Sequence, residues 1–152
     1  MYYFAYGSCM NELDFSRNVK QFTRLGRAEL HHYKLGFTMY SGSRDGGVAD
    51  VIDFPDEVVE GILYVVDEQG VKELDKREGH PNFYERIYVD IQYNGQLIER
   101  VVTYQGVNQN LHEYAPSTDY SNIILVGARN ELSERYLEKL ESHIHYLCDK
   151  CR

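Results

Sequence analysis

The sequence contains few of the residues that a disulfide-stapled protein requires. It has 3 cysteines and 3 prolines among 152 residues. Cys9, Cys148 and Cys151 are too few and too unevenly spaced for a disulfide framework, which agrees with a reducing compartment. Cys148 and Cys151 form a CxxC, but no second pair and no suitably spaced histidine accompanies it. A frayed C-terminal tail is therefore preferred over a metal or redox site.

Long hydrophobic runs and a surplus of positive charge are also missing. No stretch of about 18 apolar residues occurs, and the first residues lack the basic start and apolar run of a secretion signal. We therefore expect a soluble, cytoplasmic protein with no membrane partner. The formal net charge of -8 and the pI near 5.2 argue against a nucleic-acid partner, because phosphate contacts require clustered Lys and Arg.

What is present predicts a single α+β domain over residues 1–152. A chain of 152 residues buries enough surface for one core, and no linker, internal repeat or low-complexity tract divides it. Strand patterns dominate the first two thirds, with helices interleaved and appended. Many strands with a few helices predict a curved or closed sheet.

The predicted strands cover residues 1–6, 24–32, 33–41, 48–54, 58–66, 84–92 and 96–104. Asn94 and Gly95 separate the last two, and this pair tolerates the positive φ angles of a type I′ hairpin turn. Residues 41–47, rich in Gly and Ser, predict a mobile loop that could close over a site.

Four helices are predicted from their caps and apolar spacing. Asn11 begins a short helix, with Leu13 and Val19 as core candidates. Asp67 caps a second helix, and Ser117 or Thr118 caps a third over residues 119–129. The fourth begins at Ser133 and carries an apolar stripe interpreted as core rather than as a partner surface: Leu137, Leu140, Ile144 and Leu147.

One acidic residue of the second predicted helix, Glu78, is expected on the apolar face of that helix and not on its solvent-exposed face. Glu78 lies about 20° from Val71 on a helical wheel, so its carboxylate shares the apolar face. Gly79 ends the helix, which places Glu78 in the last turn. Burial and the negative helix end both raise the pKa of a carboxyl group, and such a group suits proton transfer. A buried Glu paired with Arg77 or Arg86, or a solvent-facing helix terminus, is the alternative.

The first strand ends in Tyr6-Gly7-Ser8-Cys9 and turns into a helix. Such a turn presents consecutive backbone N–H groups, and glycine permits close approach of an anion such as a carboxylate. A plain tight turn is the alternative. No GxGxxG or GxxxxGK[ST] occurs, so nucleotide phosphates are not indicated.

Three ordered motifs resemble those of the γ-glutamylcyclotransferase family. Residues 3–8 (YFAYGS) resemble the signature YFAYGSN, residues 74–79 (LDKREG) resemble LDxxEG, and residues 116–128 resemble PSxxY…GA. The resemblance spans nearly the whole chain. It implies a small mixed β-barrel with flanking helices, no cofactor, and release of 5-oxoproline from a small-molecule γ-glutamyl substrate.

The resemblance also implies roles for individual residues. Glu78 matches the catalytic glutamate and Tyr120 a tyrosine that contacts substrate. The substrate-binding loop is matched by Tyr3, Phe4, Ala5, Tyr6, Gly7 and Ser8, followed by Cys9. The family has asparagine where this chain has Cys9, so recognition by that side chain differs while the backbone cradle remains.

Several alternatives stay open. Cys9 at a helix start is a candidate nucleophile, although no His–acid partner accompanies it. Tyr84 and Arg86 either line the pocket or begin a strand, and His80 either shares a proton with Glu78 or is an exposed loop residue. No convincing set of metal ligands is found. The protein is expected to be a cyclotransferase of broad or narrow specificity, with a catalytically silent ligand-binding domain as the alternative; a homodimer remains open.

Overall fold

The structure is a computed structural model that describes residues 1–150, and its sheet is a closed five-stranded barrel. The strands are β1 (Tyr2–Ala5), β2 (Phe22–Ser41), β3 (Gly46–Val66), β4 (Tyr84–Tyr93) and β5 (Gln96–Gly106). They follow the order β1-β3-β2-β4-β5. β1 runs antiparallel to β3 and parallel to β5, and the second pairing closes the barrel. The predicted mixed barrel with flanking helices is confirmed.

The prediction of separate strands at 24–32 and 33–41, and at 48–54 and 58–66, is wrong. Each pair is one long strand, β2 or β3, and the two strands pair along most of their length. The register shifts between His31 and Tyr33, and His32 (φ 68°) and Asp56 (φ 65°) have left-handed backbone conformations at this point. Such irregularities bend a strand without ending its ladder, so turn-like residues at this point do not separate two strands.

The predicted hairpin is confirmed. Tyr84 pairs with Gly106 at one end of β4 and β5, and Tyr93 pairs with Gln96 at the other. Asn94 (φ 49°) and Gly95 (φ 74°) form the turn, as the type I′ geometry requires. The hairpin carries Tyr84 and Tyr104, which both reach the site described below.

The helices flank the barrel and begin where the caps predicted. A 3-10 helix (Ser8–Met10) leads into α1 (Glu12–Phe15), which Asn11 caps. Asp67 caps α2 (Glu68–Glu78) and Ser117 caps α3 (Thr118–Ala128). The last helix is α4 (Glu134–Lys150). None of these helices in residues 1–150 is long and apolar enough to cross a membrane.

Leu13 is not a core residue, contrary to prediction. Its side chain is 82% exposed, whereas Asp14 and Phe15 are buried. α1 has only four residues, so a single turn decides which side chains face inward, and Phe15 stacks on Tyr64 at a centroid distance of 4.2 Å. Val19 is buried as predicted.

The apolar stripe of α4 is core, as predicted. Leu140, Ile144 and Leu147 are buried, and Leu137 packs against them from a partly buried position. Cys148 lies near the end of this helix, with its thiol directed at the Pro116 carbonyl across 3.7 Å. Its predicted CxxC partner, Cys151, lies outside the described residues.

Candidate active site

Two adjoining cavities lie where the 3-10 helix, the end of α2, the β2–β3 turn and α3 meet. The inner cavity has a volume of about 30 Å³ and is lined by Tyr3, Tyr6, Gly7, Ser8, Cys9, Ala49, Glu78, Tyr84, Tyr104 and Tyr120. The outer cleft, of about 360 Å³, is lined mainly by the end of β2 with the β2–β3 turn (residues 40–44), the end of α2 (residues 76–79) and Phe83. Ser8, Glu78, Tyr84 and Tyr120 line both, so they lie at the junction.

Glu78 provides the carboxylate at this junction. α2 ends at Gly79, whose left-handed backbone (φ 69°) no other residue type adopts as readily, so Glu78 occupies the last turn. Its side chain is 19% exposed, and Oε1 lies 3.7 Å from Arg77 Nε and 4.0 Å from the Cys9 thiol. Burial raises the pKa of Glu78 above its ordinary value, although Arg77 and Arg44 oppose the rise. The pair with Arg77 that was the alternative for this residue is therefore present, and the catalytic role of Glu78 stays a prediction.

The loop after β1 approaches β3 and α3 closely. A Cβ on Gly7 would lie 3.1 Å from the Ala49 Cβ and 3.5 Å from the Tyr120 hydroxyl. The 3-10 helix starts directly after Gly7, and the first N–H groups of a helix have no acceptor within it. Gly7, Ser8 and Cys9 all line the inner cavity, so these N–H groups lie at the start of a helix that borders it.

The Ala49 backbone anchors two tyrosines of the cavity wall. Its N–H donates to the Tyr120 hydroxyl oxygen at 3.0 Å, and its carbonyl accepts from the Tyr84 hydroxyl at 2.5 Å. Burial raises the pKa of both tyrosines, so both hydroxyls keep their protons at neutral pH. The Tyr120 hydroxyl thus accepts from the Ala49 backbone, whereas the Tyr84 hydroxyl donates to it.

Three further tyrosines, Tyr3, Tyr6 and Tyr104, line the wall, and the hydroxyl groups of Tyr6 and Tyr104 are hydrogen-bonded to the protein. Tyr6 donates to the Tyr104 carbonyl at 2.6 Å. Tyr104 in turn donates to Asp75 Oδ1 at 2.6 Å, and Arg86 holds the other Asp75 oxygen at 3.0 Å. Arg86 therefore supports the wall from outside, whereas Tyr84 lines it.

Cys9 is a buried, neutral thiol. Its side chain is 3% exposed, and burial raises the pKa of the thiol to about 11, against a lowering by Arg77. A thiolate is the reactive form, so this environment does not favour the nucleophile hypothesis. His80 does not contact Glu78 through a recorded bond either; its Nδ1 accepts from the Arg86 N–H at 3.0 Å.

Two predicted binding residues lie away from the cavities. Phe4 and Ala5 line neither one, and both are buried in the core, where Phe4 packs beside Gly61. Direct substrate contact by their side chains therefore has no support in the geometry. Successive side chains of a β-strand point to opposite faces, so the Phe4 side chain points away from the face that carries Tyr3.

Sequence reasoning missed four groups that shape the site: Ala49, Tyr104, Arg44 and Asp14. Ala49 acts through its backbone, and Tyr104 comes from a strand with no distinguishing motif. Asp14 faces inward on the single turn of α1, where the sequence predicts Leu13 to do so. Arg44 lies in the loop predicted to close over a site, whereas no spacing in the sequence links Ala49, Tyr104 or Asp14 to Glu78.

A separate cavity, of about 450 Å³, lies against α4 and does not share these features. Its carboxylates are already engaged, since Glu57 pairs with Lys139 at 3.1 Å and Glu113 with His143 at 2.7 Å. Within residues 1–150 no three His, Cys, Asp or Glu side chains gather as metal ligands would.

The closed mixed barrel is the fold of solved structures described as gamma-glutamyl cyclotransferases. Residues 3–122 match the family model described as gamma-glutamyl cyclotransferase, AIG2-like. The chain belongs to this family.

Relatives with names and structures support the assignment. The chain is 34% identical to YkqA of Bacillus subtilis over 151 residues, which is 97% of this chain but only 53% of that protein. It is 28% identical to the gamma-glutamylcyclotransferase of Mus musculus over 148 residues, covering 92% of this chain and 77% of the mouse protein. The chain thus spans about half the length of YkqA, one of the curated relatives it matches.

Solved structures show the same fold. The crystal structure of YkqA superposes with a TM-score of 0.86 at 32% identity, covering 97% of this chain and 55% of YkqA. A structure described as gamma-glutamyl cyclotransferase superposes with a TM-score of 0.85 at 27% identity, covering 93% of this chain and 86% of the other.

Proposed function

We propose that this protein releases 5-oxoproline from a γ-glutamyl amine or peptide, with Glu78 as the general acid and base. The observation that carries the proposal is the position of Glu78, a sheltered carboxylate at the junction of a small tyrosine-lined cavity and an open cleft. Membership of the family and the names of its relatives add support.

The reaction needs positioning more than a strong nucleophile. The α-amino nitrogen of the γ-glutamyl group attacks its own γ-carbonyl carbon and closes a five-membered ring. The bond from that carbon to the departing nitrogen breaks, and the departing amine takes the electron pair and a proton. Holding the chain in a bent conformation brings the two reacting atoms together, which is the main contribution of a fitted cavity.

Glu78 carries the proton between the two nitrogens. The α-amine starts as an ammonium with a pKa of about 8, so it must lose a proton before it can attack. Ionised Glu78 takes this proton, and the resulting carboxylic acid delivers one to the departing nitrogen. Burial raises the pKa of Glu78, which makes its carboxylate a stronger base for the first proton transfer and keeps more of the group protonated for the second.

Different groups around Glu78 bind different parts of the substrate. The backbone N–H groups of Gly7 to Cys9 either hold the substrate α-carboxylate or stabilise the oxygen that becomes negative as the ring closes. The Tyr120 hydroxyl offers a neutral hydrogen-bond donor beside them. The outer cleft takes the departing amine or peptide, because it is wider and open to solvent.

The test is 5-oxoproline release from a panel of γ-glutamyl amines, γ-glutamyl amino acids and γ-glutamyl isopeptides. The proposal expects turnover of at least one member. Turnover of many members indicates a broad cyclotransferase, and turnover of one indicates a narrow one. Calorimetric binding of panel members without any 5-oxoproline would instead establish the silent ligand-binding domain and overturn the proposal.

A further inference from the structure

Asp14 is a buried carboxylate that the proposed reaction does not use directly. Its side chain is 6% exposed and lies in the single turn of α1. Oδ2 accepts from Arg77 Nη2 at 2.5 Å and from Arg44 Nη2 at 3.0 Å, and Oδ1 accepts from Arg17 at 3.3 Å. Burial alone would raise the pKa of Asp14, but Arg77 and Arg44 outweigh it and hold the pKa below its ordinary value.

These contacts join three segments that form the cleft. Arg77 belongs to α2 and precedes Glu78, and its Nη2 also donates to Ser8 Oγ at 2.9 Å in the loop after β1. Its Nη1 donates to the Asp14 carbonyl at 3.1 Å and to Asn18 at 2.8 Å. Arg44 belongs to the β2–β3 turn, and its guanidinium lies 5.5 Å from the Tyr120 ring centroid. The Asp14 carboxylate therefore binds α2 and the turn directly, and it is linked to the first loop through Arg77.

Arg77 contacts both carboxylates, and its contact with Asp14 is the shorter one. Arg77 Nε lies 3.7 Å from Glu78 Oε1, whereas Arg77 Nη2 lies 2.5 Å from Asp14. A carboxylate that receives direct guanidinium hydrogen bonds is stabilised in its ionised form, so it accepts a proton less readily. The geometry thus leaves the closer pairing to Asp14.

We infer that Asp14 is a positioning residue of the Glu78 site: it holds Arg77 and Arg44, fixes the three segments around the cleft, and leaves Glu78 free to transfer protons. The inference deepens the proposed function and rests on it for the catalytic consequence. The structural part, the arrangement of Arg77 and Arg44 around two carboxylates, can be tested without turnover.

The groups that act electrostatically on Glu78, or respond to it, come from every element around the cleft. They are Asp14, Cys9, Arg44 and Arg77, with the tyrosines Tyr3, Tyr6, Tyr84, Tyr104 and Tyr120. Lys76 also lines the outer cleft. Burial keeps the tyrosines and Cys9 neutral, so the charges that decide are those of Asp14, Arg44 and Arg77. Asp14 raises the pKa of Glu78, and the two arginines lower it.

Opposite changes are therefore expected from the two ends of one ion pair. Asp14→Asn removes the negative charge and frees both arginines to approach Glu78, so the pKa of Glu78 falls. Arg44→Gln removes a positive charge while Asp14 still holds Arg77, so the pKa of Glu78 rises. Glu12→Gln is the matched control, because it neutralises an exposed carboxylate in the same turn of helix with no recorded side-chain contact to the cleft.

The measurement is a carbon-13 NMR titration of the Glu78 carboxyl group, with amide spectra of the same samples and the pH profile of kcat. We expect Glu78 to titrate lower in Asp14→Asn, higher in Arg44→Gln and as in the parent in Glu12→Gln. Amide resonances of Ser8 and of residues 41–47 should move in Asp14→Asn, and kcat/KM should fall on the order of 10-fold or more because the site loses its geometry.

Several results would overturn the inference. One is equal titration of Glu78 in Asp14→Asn and Glu12→Gln; another is a Glu78 shift without movement of Ser8 and residues 41–47, which would make Asp14 a distant charge only. If Asp14→Asn does not fold, Arg44→Gln decides, and a Glu78 pKa that stays or falls refutes the inference. If the parent protein releases no 5-oxoproline, the proposed function is wrong. The titration of the Glu78 carboxyl group still tests the role of Asp14 in that case.

Discussion

At the scale of single residues, the site is defined by which charges are buried together. Glu78 and Asp14 are two carboxylates in one small region with opposite shifts in pKa, because Asp14 receives direct guanidinium hydrogen bonds and Glu78 does not. Environments that separate the pKa values of two acids are typical of acid–base sites. The chemistry is therefore assigned to Glu78, and Asp14 is given a supporting role.

Cys9 provides the first prediction, because its thiol lies in the same cavity. With a pKa raised to about 11, it is protonated at neutral pH and cannot serve as a ready nucleophile. Cys9→Ala should keep kcat within about 3-fold of the parent, well short of the loss of about 100-fold or more expected for an essential group. Steady-state 5-oxoproline release measures it.

Loss of all turnover in Cys9→Ala, with an unchanged melting temperature, would contradict this prediction. A covalent thioester would then have to be sought by mass spectrometry of the quenched enzyme. Cys148→Ala is the matched control, because that thiol lies on α4 beside the Pro116 carbonyl and lines neither the inner cavity nor the outer cleft.

At the scale of elements, the loop after β1 depends on the absence of a side chain at Gly7. A methyl group there would meet the Ala49 Cβ at 3.1 Å and crowd the Tyr120 hydroxyl, so the loop must shift by a few tenths of an ångström. Gly7→Ala should therefore lower kcat/KM on the order of 10-fold while the fold survives, since small misplacements at a reacting centre are costly. Kinetics and a thermal melt of the same preparation measure both effects.

A Gly7→Ala protein with parental kcat/KM would show that the close approach of loop and β3 has no catalytic value. A protein that fails to fold would instead assign Gly7 to stability alone. The thermal melt distinguishes the two results, because it shows whether the Gly7→Ala protein is folded.

The elements themselves were predictable where a local signal exists and not where tertiary pairing decides. Asn11, Asp67 and Ser117 cap helices through their own side chains, and Gly79 ends α2, so sequence alone placed these ends. The pair Asn94-Gly95 likewise fixed its turn. In contrast, residues 54–57 carry turn-like signals yet lie within β3, because pairing with β2 continues across the irregularity.

The site was predictable to the same extent. Glu78 followed from helical spacing and a glycine stop, and Gly7 and Ser8 from their place at a strand end. Asp14, Ala49 and Tyr104 reach the site only because α1, β3 and β5 are brought to it by the barrel, and no spacing within the sequence encodes that meeting. Leu13 shows the same limit, because a single helical turn has no apolar periodicity from which the buried face could be predicted.

At the scale of the whole molecule, the closed barrel predicts a single folding unit. β1 pairs with both β3 and β5, so segments distant in sequence share one sheet and one hydrophobic core. Residues 1–152 should therefore unfold in one cooperative transition in urea, with coincident curves from far-UV circular dichroism and tyrosine fluorescence. Two separated transitions, or curves that do not coincide, would argue for more than one unit.

The central claim is that Glu78 carries the proton, and the most direct measurement is turnover by Glu78→Gln beside Glu73→Gln. Glu73 makes its recorded contacts with Gln69 and Lys76 on the same helix and lines neither the inner cavity nor the outer cleft. We predict that Glu78→Gln still folds and binds a γ-glutamyl ligand but loses kcat by at least about 100-fold, whereas Glu73→Gln retains it. Normal kcat in Glu78→Gln, with binding intact, would contradict the claim.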